Sequence, residues 1–446
     1  MIRYHIAPQM KRLATILAVL AIAGGITNAK DIDLKKYGAK ADGKTKITEK
    51  LQKAIDEVSA AGGGRVILSG GTFLTAAIEL KSGVDLHIEA DAVLLASPDI
   101  ADYPERENPK HYLSEAMPRF RNAAVIYADE ADNIAISGRG TIDCNGKAHV
   151  KTKANPDWKG WEYERIYPRR ESLPRVVFFA GCKNVSVTDV TMTNQPAGWS
   201  YWIHDCDLVK FDGVNILADV RYPNNDGIHI NCSRDVAVSN CFIETGDDSI
   251  VIRANSRSLR ENKACERVVI TNCTLHSWSS AIRFGWTNDG TMRDCTISNL
   301  VIFDSSHGIS CLCPALSRQL NNESNDYGRE PTVLENISIS NVQMKEIYGN
   351  AIEFNVSREE GTLFGGFRNI TFSDVVCHSA VGFPYFSGRA DAHVENIVFN
   401  NCYFEKVPAE SLPLDYNRHG ASGHKKPGDE VNMSNIVFNN TRFAVK

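Results

Sequence analysis

Asp226, in Pro223-Asn224-Asn225-Asp226-Gly227, and the pair Asp247-Asp248, in Gly246-Asp247-Asp248-Ser249, are the residues of this chain whose types and spacing can do chemistry. Each group lies beside a short β-rich repeat, so stacking the repeats would bring three carboxylates together. Cleavage of a glycosidic bond with inversion needs one carboxylic acid to protonate the leaving oxygen and one or more carboxylates, roughly 6.5–9.5 Å away, to activate water. Crowding supplies the division of labour, because mutual repulsion keeps one carboxyl protonated while the others stay charged. Taken singly, Asn-Asp-Gly is a common turn, and Gly-Asp-Asp can close a bend or bind calcium. Their joint placement on neighbouring coils separates the catalytic reading from these plainer ones.

The elements that must position them recur down the chain. A polar residue, two or three alternating apolar residues, a Ser/Thr/Asn/Asp step and a second apolar pair repeat from Asn133, Asn184, Leu208, Asp235, Arg267, Asp294, Asn336, Asn369, Asn396 and Asn435. Each copy holds two short period-2 strands parted by a step that can turn the chain. Intervals of roughly 24 to 42 residues suit a solenoid coil with loops of variable length on one side. One coil cannot bury its apolar face; stacked coils bury a continuous core, with Asn or Ser side chains laddered at the bends. The pattern predicts a right-handed parallel β-helix in an all-β chain, with a β-propeller as the rival architecture. On it, Asp226 enters the coil preceding Asp235 and Asp247-Asp248 follow at the next bend, one rung apart on the same side. Using both neighbours of the pair needs a bend, which Gly246 can permit. Thr48 to Ala60 reads as a helix with Leu51, Ala54, Ile55 and Val58 on one face, able to plug the N-terminal end of the solenoid.

With 446 residues, 23% of them charged, and a net charge of −5, the chain carries no long basic run, which argues against nucleic acid as a partner. Met10-Lys11-Arg12 followed by apolar Leu13 to Ile26 and by Thr27-Asn28-Ala29 reads as an export signal over residues 1–29, leaving residues 30–446 as one solenoid domain. A membrane anchor is the alternative, although the apolar run is shorter than the ~20 residues that span a bilayer. The expected location is periplasmic or extracellular, with no membrane span after processing and a monomeric state. The twelve cysteines sit mostly inside apolar repeats; Cys241 and Cys273 occupy the same repeat position, and stacked buried thiols are favoured over a disulfide. Between Ala101 and Arg175, irregular stretches carry Tyr112, Arg119, Trp158, Trp161, Tyr163, Arg165, Tyr167, Arg169 and Arg170, suited to sugar rings that bear carboxylates.

The chain resembles glycoside hydrolase family 28, the polygalacturonase family. Asn225-Asp226-Gly227 resembles its Asn-Thr-Asp-Gly element and Gly246-Asp247-Asp248 its Gly-Asp-Asp element. Trp202-Ile203-His204 resembles a Trp-x-Ile-His segment, and Tyr37-Gly38-Ala39-Lys40-Ala41-Asp42-Gly43 the opening of many pectin-active β-helices. The resemblance implies hydrolysis with inversion, no metal and no cofactor, with Asp247 as general acid and Asp226 and Asp248 activating the water. A pectic polysaccharide or oligosaccharide would be the substrate. Two elements depart. Where the family has Gly-His-Gly, this chain has Ser279-Ser280-Ala281; where it has Arg-Ile-Lys, this chain has Ser310-Cys311-Leu312. Arg253 and Arg283, each ending a strand beside the catalytic bend, are therefore expected to grip the substrate carboxylate, and His204 to orient a sugar or an aspartate. Rhamnogalacturonan or a pectin side chain remains an alternative substrate. A β-helical lyase with calcium held by the aspartates and a non-catalytic carbohydrate-binding solenoid are rival functions.

Overall fold

A computed structural model describes residues 29–104, 123–152, 163–165, 175–195, 330–356, 362–413, 432–446, and 198–313 apart from positions 221, 223, 257, 260 and 287. The strands pair in parallel, coil upon coil, in one sheet of 22 strands and a second of 10. This is the right-handed parallel β-helix, and the parallel stacking excludes the propeller. The ten-stranded sheet carries the strands that flank the carboxylates, in the order Arg175–Ala180, Tyr201–His204, Ile228–Asn231, Ile250–Arg253, Ser280–Phe284, His307–Cys313 and Ile352–Val356.

Alternation decides which side chains enter the core. Ile228, Ile250, Ile282, Ile309 and Ile352 are in register on successive coils and all are fully buried. A β-branched residue fits the pleat, and stacking identical shapes leaves few voids. Toward the C-terminus the stack becomes aromatic: Phe372 lies 4.7 Å from Phe399, and Phe399 4.9 Å from Phe438.

The polar residue that begins each repeat is a bend. Asn133, Asn184, Asp235, Asp294, Asn336, Asn369, Asn396 and Asn435 all have φ between 52° and 57°, the left-handed region that Asn and Asp tolerate best among residues with a side chain. Their amides ladder along the solenoid: Nδ2 of Asn184 donates to Asn133 at 2.7 Å, Asn369 to Asn336 at 3.1 Å and Asn396 to Asn369 at 3.0 Å.

The helix Thr48–Ala60 is present and buries Leu51, Ala54, Ile55 and Val58 against the first coils. All twelve cysteines are free and buried. Cys241 and Cys273 stack on adjacent coils as thiols. The export signal lies outside the described residues, as do Tyr112, Arg119, Trp158, Trp161, Tyr167, Arg169 and Arg170 and the side chains of Tyr163 and Arg165. Among the described residues no helix is long and apolar enough to cross a membrane.

Candidate active site

Asp226 enters the strand Ile228–Asn231 and Asp247-Asp248 enter its neighbour Ile250–Arg253, with Ile228 paired to Ile250. The bend between 246 and 248 is fixed by backbone crowding. A Cβ on Gly246 would meet the carbonyl oxygens of Tyr222 and Val220 at 2.3 and 2.4 Å, so only glycine lets the Gly-Asp-Asp segment approach the preceding coil so closely. The Gly246 amide donates to Asn225 Oδ1 at 2.7 Å, and Asn225 Nδ2 donates to the Asp219 carbonyl at 2.8 Å. Thr245 and Ser277 hydroxyls both donate to the Asp247 carbonyl, at 2.7 Å. The pair of aspartates is thus clamped by its backbone before any side chain acts.

One oxygen from each of Asp226, Asp247 and Asp248 lies within 4.8 Å of the others. That is closer than the ~6.5–9.5 Å between carboxyl groups typical of inverting pairs. Three carboxylates, and not two, share this site.

Their surroundings differ. Asp248 accepts from Arg283 Nη1 at 3.0 Å and from the Ser280 backbone N–H at 3.0 Å. Burial works to raise its pKa, but the Arg283 charge, the Ser279 side chain and the Ser280 amide outweigh it and hold the carboxyl below its ordinary value. Asp247, the most exposed of the three at 9%, accepts from the Asn224 side-chain amide at 3.0 Å and from the Asp248 backbone N–H at 3.1 Å. Asp226 lies 2.8 Å from His229 Nε2. Burial, then the charges of Arg253, Arg175 and Arg283, push His229 well below its usual pKa, against the pull of Asp248. A neutral His229 with its proton on Nε2 donates that hydrogen bond to Asp226.

Arg283 sits at the catalytic rung, on Asp248 and 4.0 Å from the Trp286 ring centroid. Its second terminal nitrogen, Nη2, is buried with no hydrogen-bond partner among the described residues. Arg253 lies two positions along on the preceding strand, held bidentately by Asp289 at 2.6 and 2.8 Å. Burial opposes its charge; Asp289 more than offsets this and raises its pKa. His204 is fully buried between Asn231 and Ser258, with both nitrogens at 2.6 Å. Ser280, where the family histidine is expected, gives its amide to Asp248, and its hydroxyl accepts from Ser310 at 2.7 Å.

His229, Trp199 stacked on it at 3.7 Å, Asn224, Asn225 and the Ser280 amide belong to this arrangement and were not among the sequence candidates. His229 was within reach of the period-2 rule: with Ile228 and Ile230 facing inward, residue 229 must face outward, three positions from Asp226. A backbone amide such as that of Ser280 has no sequence signal.

The profile described as Glycosyl hydrolases family 28 matches residues 108–383. A probable polygalacturonase of Vitis vinifera is 26% identical over 306 residues, which cover 67% of this chain and 60% of that protein. An exo-poly-alpha-D-galacturonosidase of Dickeya chrysanthemi is 28% identical over 315 residues, 63% of this chain and 51% of that protein. The chain thus spans between about half and three fifths of these curated relatives. Two solved structures share the fold: an exopolygalacturonase of Thermotoga maritima, with a TM-score of 0.70 at 21% identity over 93% of this chain and 92% of that one, and the polygalacturonase of Erwinia carotovora ssp. carotovora, with 0.64 at 20% over 89% and 96%. With the profile covering more than half of the sequence and both carboxylate elements inside it, the chain belongs to glycosyl hydrolases family 28.

Proposed function

We propose that this protein hydrolyses glycosidic bonds in a pectic, uronate-containing chain, with inversion at the anomeric carbon. The observation that carries the reading is the set of three carboxylates within 4.8 Å of one another, in unequal surroundings. Asp248, kept ionised by Arg283, and Asp226, oriented by His229, take the proton of a water as its oxygen attacks the anomeric carbon. Asp247 gives its proton to the glycosidic oxygen as that bond breaks. The products are two sugars, one with a new reducing end, and the carboxyl protons are redistributed through solvent. No metal or cofactor takes part. Arg283, with a hydrogen still to give, and Arg253 are the groups proposed to meet a substrate carboxylate; His204, expected from the sequence to orient a sugar or an aspartate, is fully buried and would do so through Asn231, to which its Nδ1 is bonded.

The coils C-terminal to Arg283 support a second substrate reading. In register with Arg283, the next coils carry Ser310 and then Glu353, both buried, and beside them the partly exposed Leu312 and Asn355. A carboxylate paired with His307 at 3.1 Å suits sugar hydroxyls better than a uronate, which favours a mixed polymer such as rhamnogalacturonan or a side chain. We place the protein outside the cytoplasm, on the pattern of residues 10–29, and as a monomer.

Incubating the protein with homogalacturonan and, separately, rhamnogalacturonan tests this, with reducing ends and the ultraviolet absorbance of unsaturated uronate followed together. Reducing ends without absorbance, unchanged by a chelator, are expected. Absorbance that a chelator abolishes would replace the hydrolase by a calcium-dependent lyase.

A further inference from the structure

At the catalytic bend, three strands on successive coils end in the same pair of residue types. Phe242–Thr245 ends in Glu244-Thr245, Cys265–Ser277 in His276-Ser277 and Asp289–Ser305 in Asp304-Ser305. The second residue of each pair turns inward, and Thr245, Ser277 and Ser305 are all fully buried. Their hydroxyls hold the segment that carries the carboxylates. The Ser277 backbone N–H donates to Ser305 Oγ at 3.0 Å, and the Ser277 and Thr245 hydroxyls both donate to the Asp247 carbonyl. Ser277 Oγ also accepts from the Ser279 N–H at 3.0 Å, and Ser279 is one of the groups that keep Asp248 ionised. Both members of the Gly-Asp-Asp pair therefore depend on where Ser277 sits.

The first residue of each pair turns the other way, and there the three form an ion bridge. Glu244 and His276 are in register on adjacent coils, with Glu244 Oε2 3.0 Å from His276 Nδ1. Asp304, in the left-handed region at φ 46°, sets a carboxylate oxygen 2.9 Å from Nε2 of the same ring. His276 is buried, with the Phe303 ring 5.3 Å from it. A neutral imidazole has one N–H and one lone pair, so between two carboxylates it would attract one and repel the other; an imidazolium offers a hydrogen to each. Burial opposes that charge, but Asp304 and Glu244 outweigh it and raise the pKa of His276. On the coils to either side stand Leu217, in register with Glu244, and Lys345, in register with Phe303 and paired with Glu346 at 2.9 Å.

We infer that His276 is a positioning residue for the hydrolysis: as an imidazolium between Glu244 and Asp304 it locks the ends of three strands together, holds Ser277 against the Asp247 carbonyl, and so places the proton donor. The inference rests on the hydrolase reading proposed above. A loosened strand end displaces Asp247 by a fraction of an ångström, which costs rate and leaves substrate binding nearly untouched. The bridge also makes stability depend on pH. Because the folded pKa of His276 is raised, its stabilisation is complete below the unfolded histidine value of about 6.5 and is lost as pH rises through the folded value.

The test compares His276→Gln with the wild-type protein, by thermal melting from about pH 5 to about pH 9 and by steady-state kinetics at a temperature where both are folded. The kinetics use whichever of the two polymers yields reducing ends. At the acid end the variant is expected to melt lower and to lose roughly tenfold or more in kcat, with KM within about twofold of wild type. The gap in melting temperature is expected to close toward the alkaline end. Should His276→Gln not fold, Asp304→Asn, which removes one half of the bridge, takes its place in the same comparison. Unchanged kcat alongside a lower melting temperature would make the bridge purely structural and overturn the inference, as would a melting gap that is constant with pH. No reducing ends from the wild-type protein on either polymer would overturn the hydrolase reading and the positioning role with it, while the melting curves would still tell whether the bridge is charged.

Discussion

Asp247 and Asp248 are neighbours in sequence with opposite proposed duties, and their partners say why. Asp248 is buried against a guanidinium, so a proton on it would sacrifice an ion pair; Asp247 is held by amides at the most open point of the triad. Asp247→Asn removes the proton donor at almost constant volume. It should lower kcat on the order of 10²–10⁴-fold, with little change in the affinity for substrate measured by calorimetry. Retention of most of the activity would move the acid elsewhere. Arg283→Gln acts on the other limb. Because Arg283 keeps the Asp248 pKa low, the ionised form, and the stability it contributes, is present above the unfolded carboxyl range and lost as pH falls through the depressed folded value. Without the cation the Asp248 pKa rises, so the acid limb of kcat/KM should move to higher pH. Breaking a buried pair should also destabilise by about 3–5 kcal/mol. An acid limb that stays in place while stability falls would show that Arg283 is only structural.

The three aspartates were legible in the sequence because a turn beside each repeat gave them both a type and a place. The second apolar cluster, with Phe178 and Trp202, was not. Trp202 reads only as part of a Trp-x-Ile-His segment and Phe178 carries no signal of its own, since sequence alternation tells which residues face outward but not what then covers them.

At the scale of the coil, the polar step of the repeat is explained by its backbone. A bend at φ near 55° disfavours a branched or bulky side chain by roughly 1–2 kcal/mol relative to glycine, and Asn by less. Two coils break the rule. Arg267, at φ 55°, is compensated by a bidentate pair with Asp235 at 2.7 and 3.0 Å. Leu208, at φ 56° and 60% exposed, shows no such pairing and buries little in return. It sits in the ladder between Asn184 and Asp235. Leu208→Asn should therefore relieve the backbone and extend the ladder, stabilising by about 1 kcal/mol, seen as a higher denaturant midpoint with an unchanged slope. An unchanged or lower midpoint would mean that neither backbone relief nor an added rung of the ladder stabilises this bend. Repeat boundaries were readable from sequence for this same reason, since the bend leaves a residue type at a fixed offset. Irregular spacing entered only through the loops, which obey no such constraint.

The whole molecule is a stack whose two ends differ. The first coils are covered by the helix Thr48–Ala60, with Leu51 and Ile55 fully buried. The strands Met433–Asn439 and Arg442–Val445 leave Phe438 at 49%, Phe443 at 45% and Val445 at 74% exposure. In a solenoid each coil is stabilised mainly by its neighbours, so opening begins where a neighbour is least protective. The cysteines report on this, because they are free, buried and spread from Cys144 to Cys402. Burial pushes Cys377 up to about 12, and the thiols of Cys206 and Cys265, deeper in the stack, are also raised by burial; a protonated, shielded thiol reacts slowly. The native protein should be inert to a thiol reagent, and its melting temperature should be unchanged by a reductant, since no disulfide contributes. Under mild denaturant, mass mapping of the labelled peptides should find Cys402 and then Cys377 modified before Cys241 and Cys273. Simultaneous labelling of all twelve would instead mean that the stack opens as one unit, and that the contacts linking the catalytic coils to the last ones are strong enough to erase the difference between the ends.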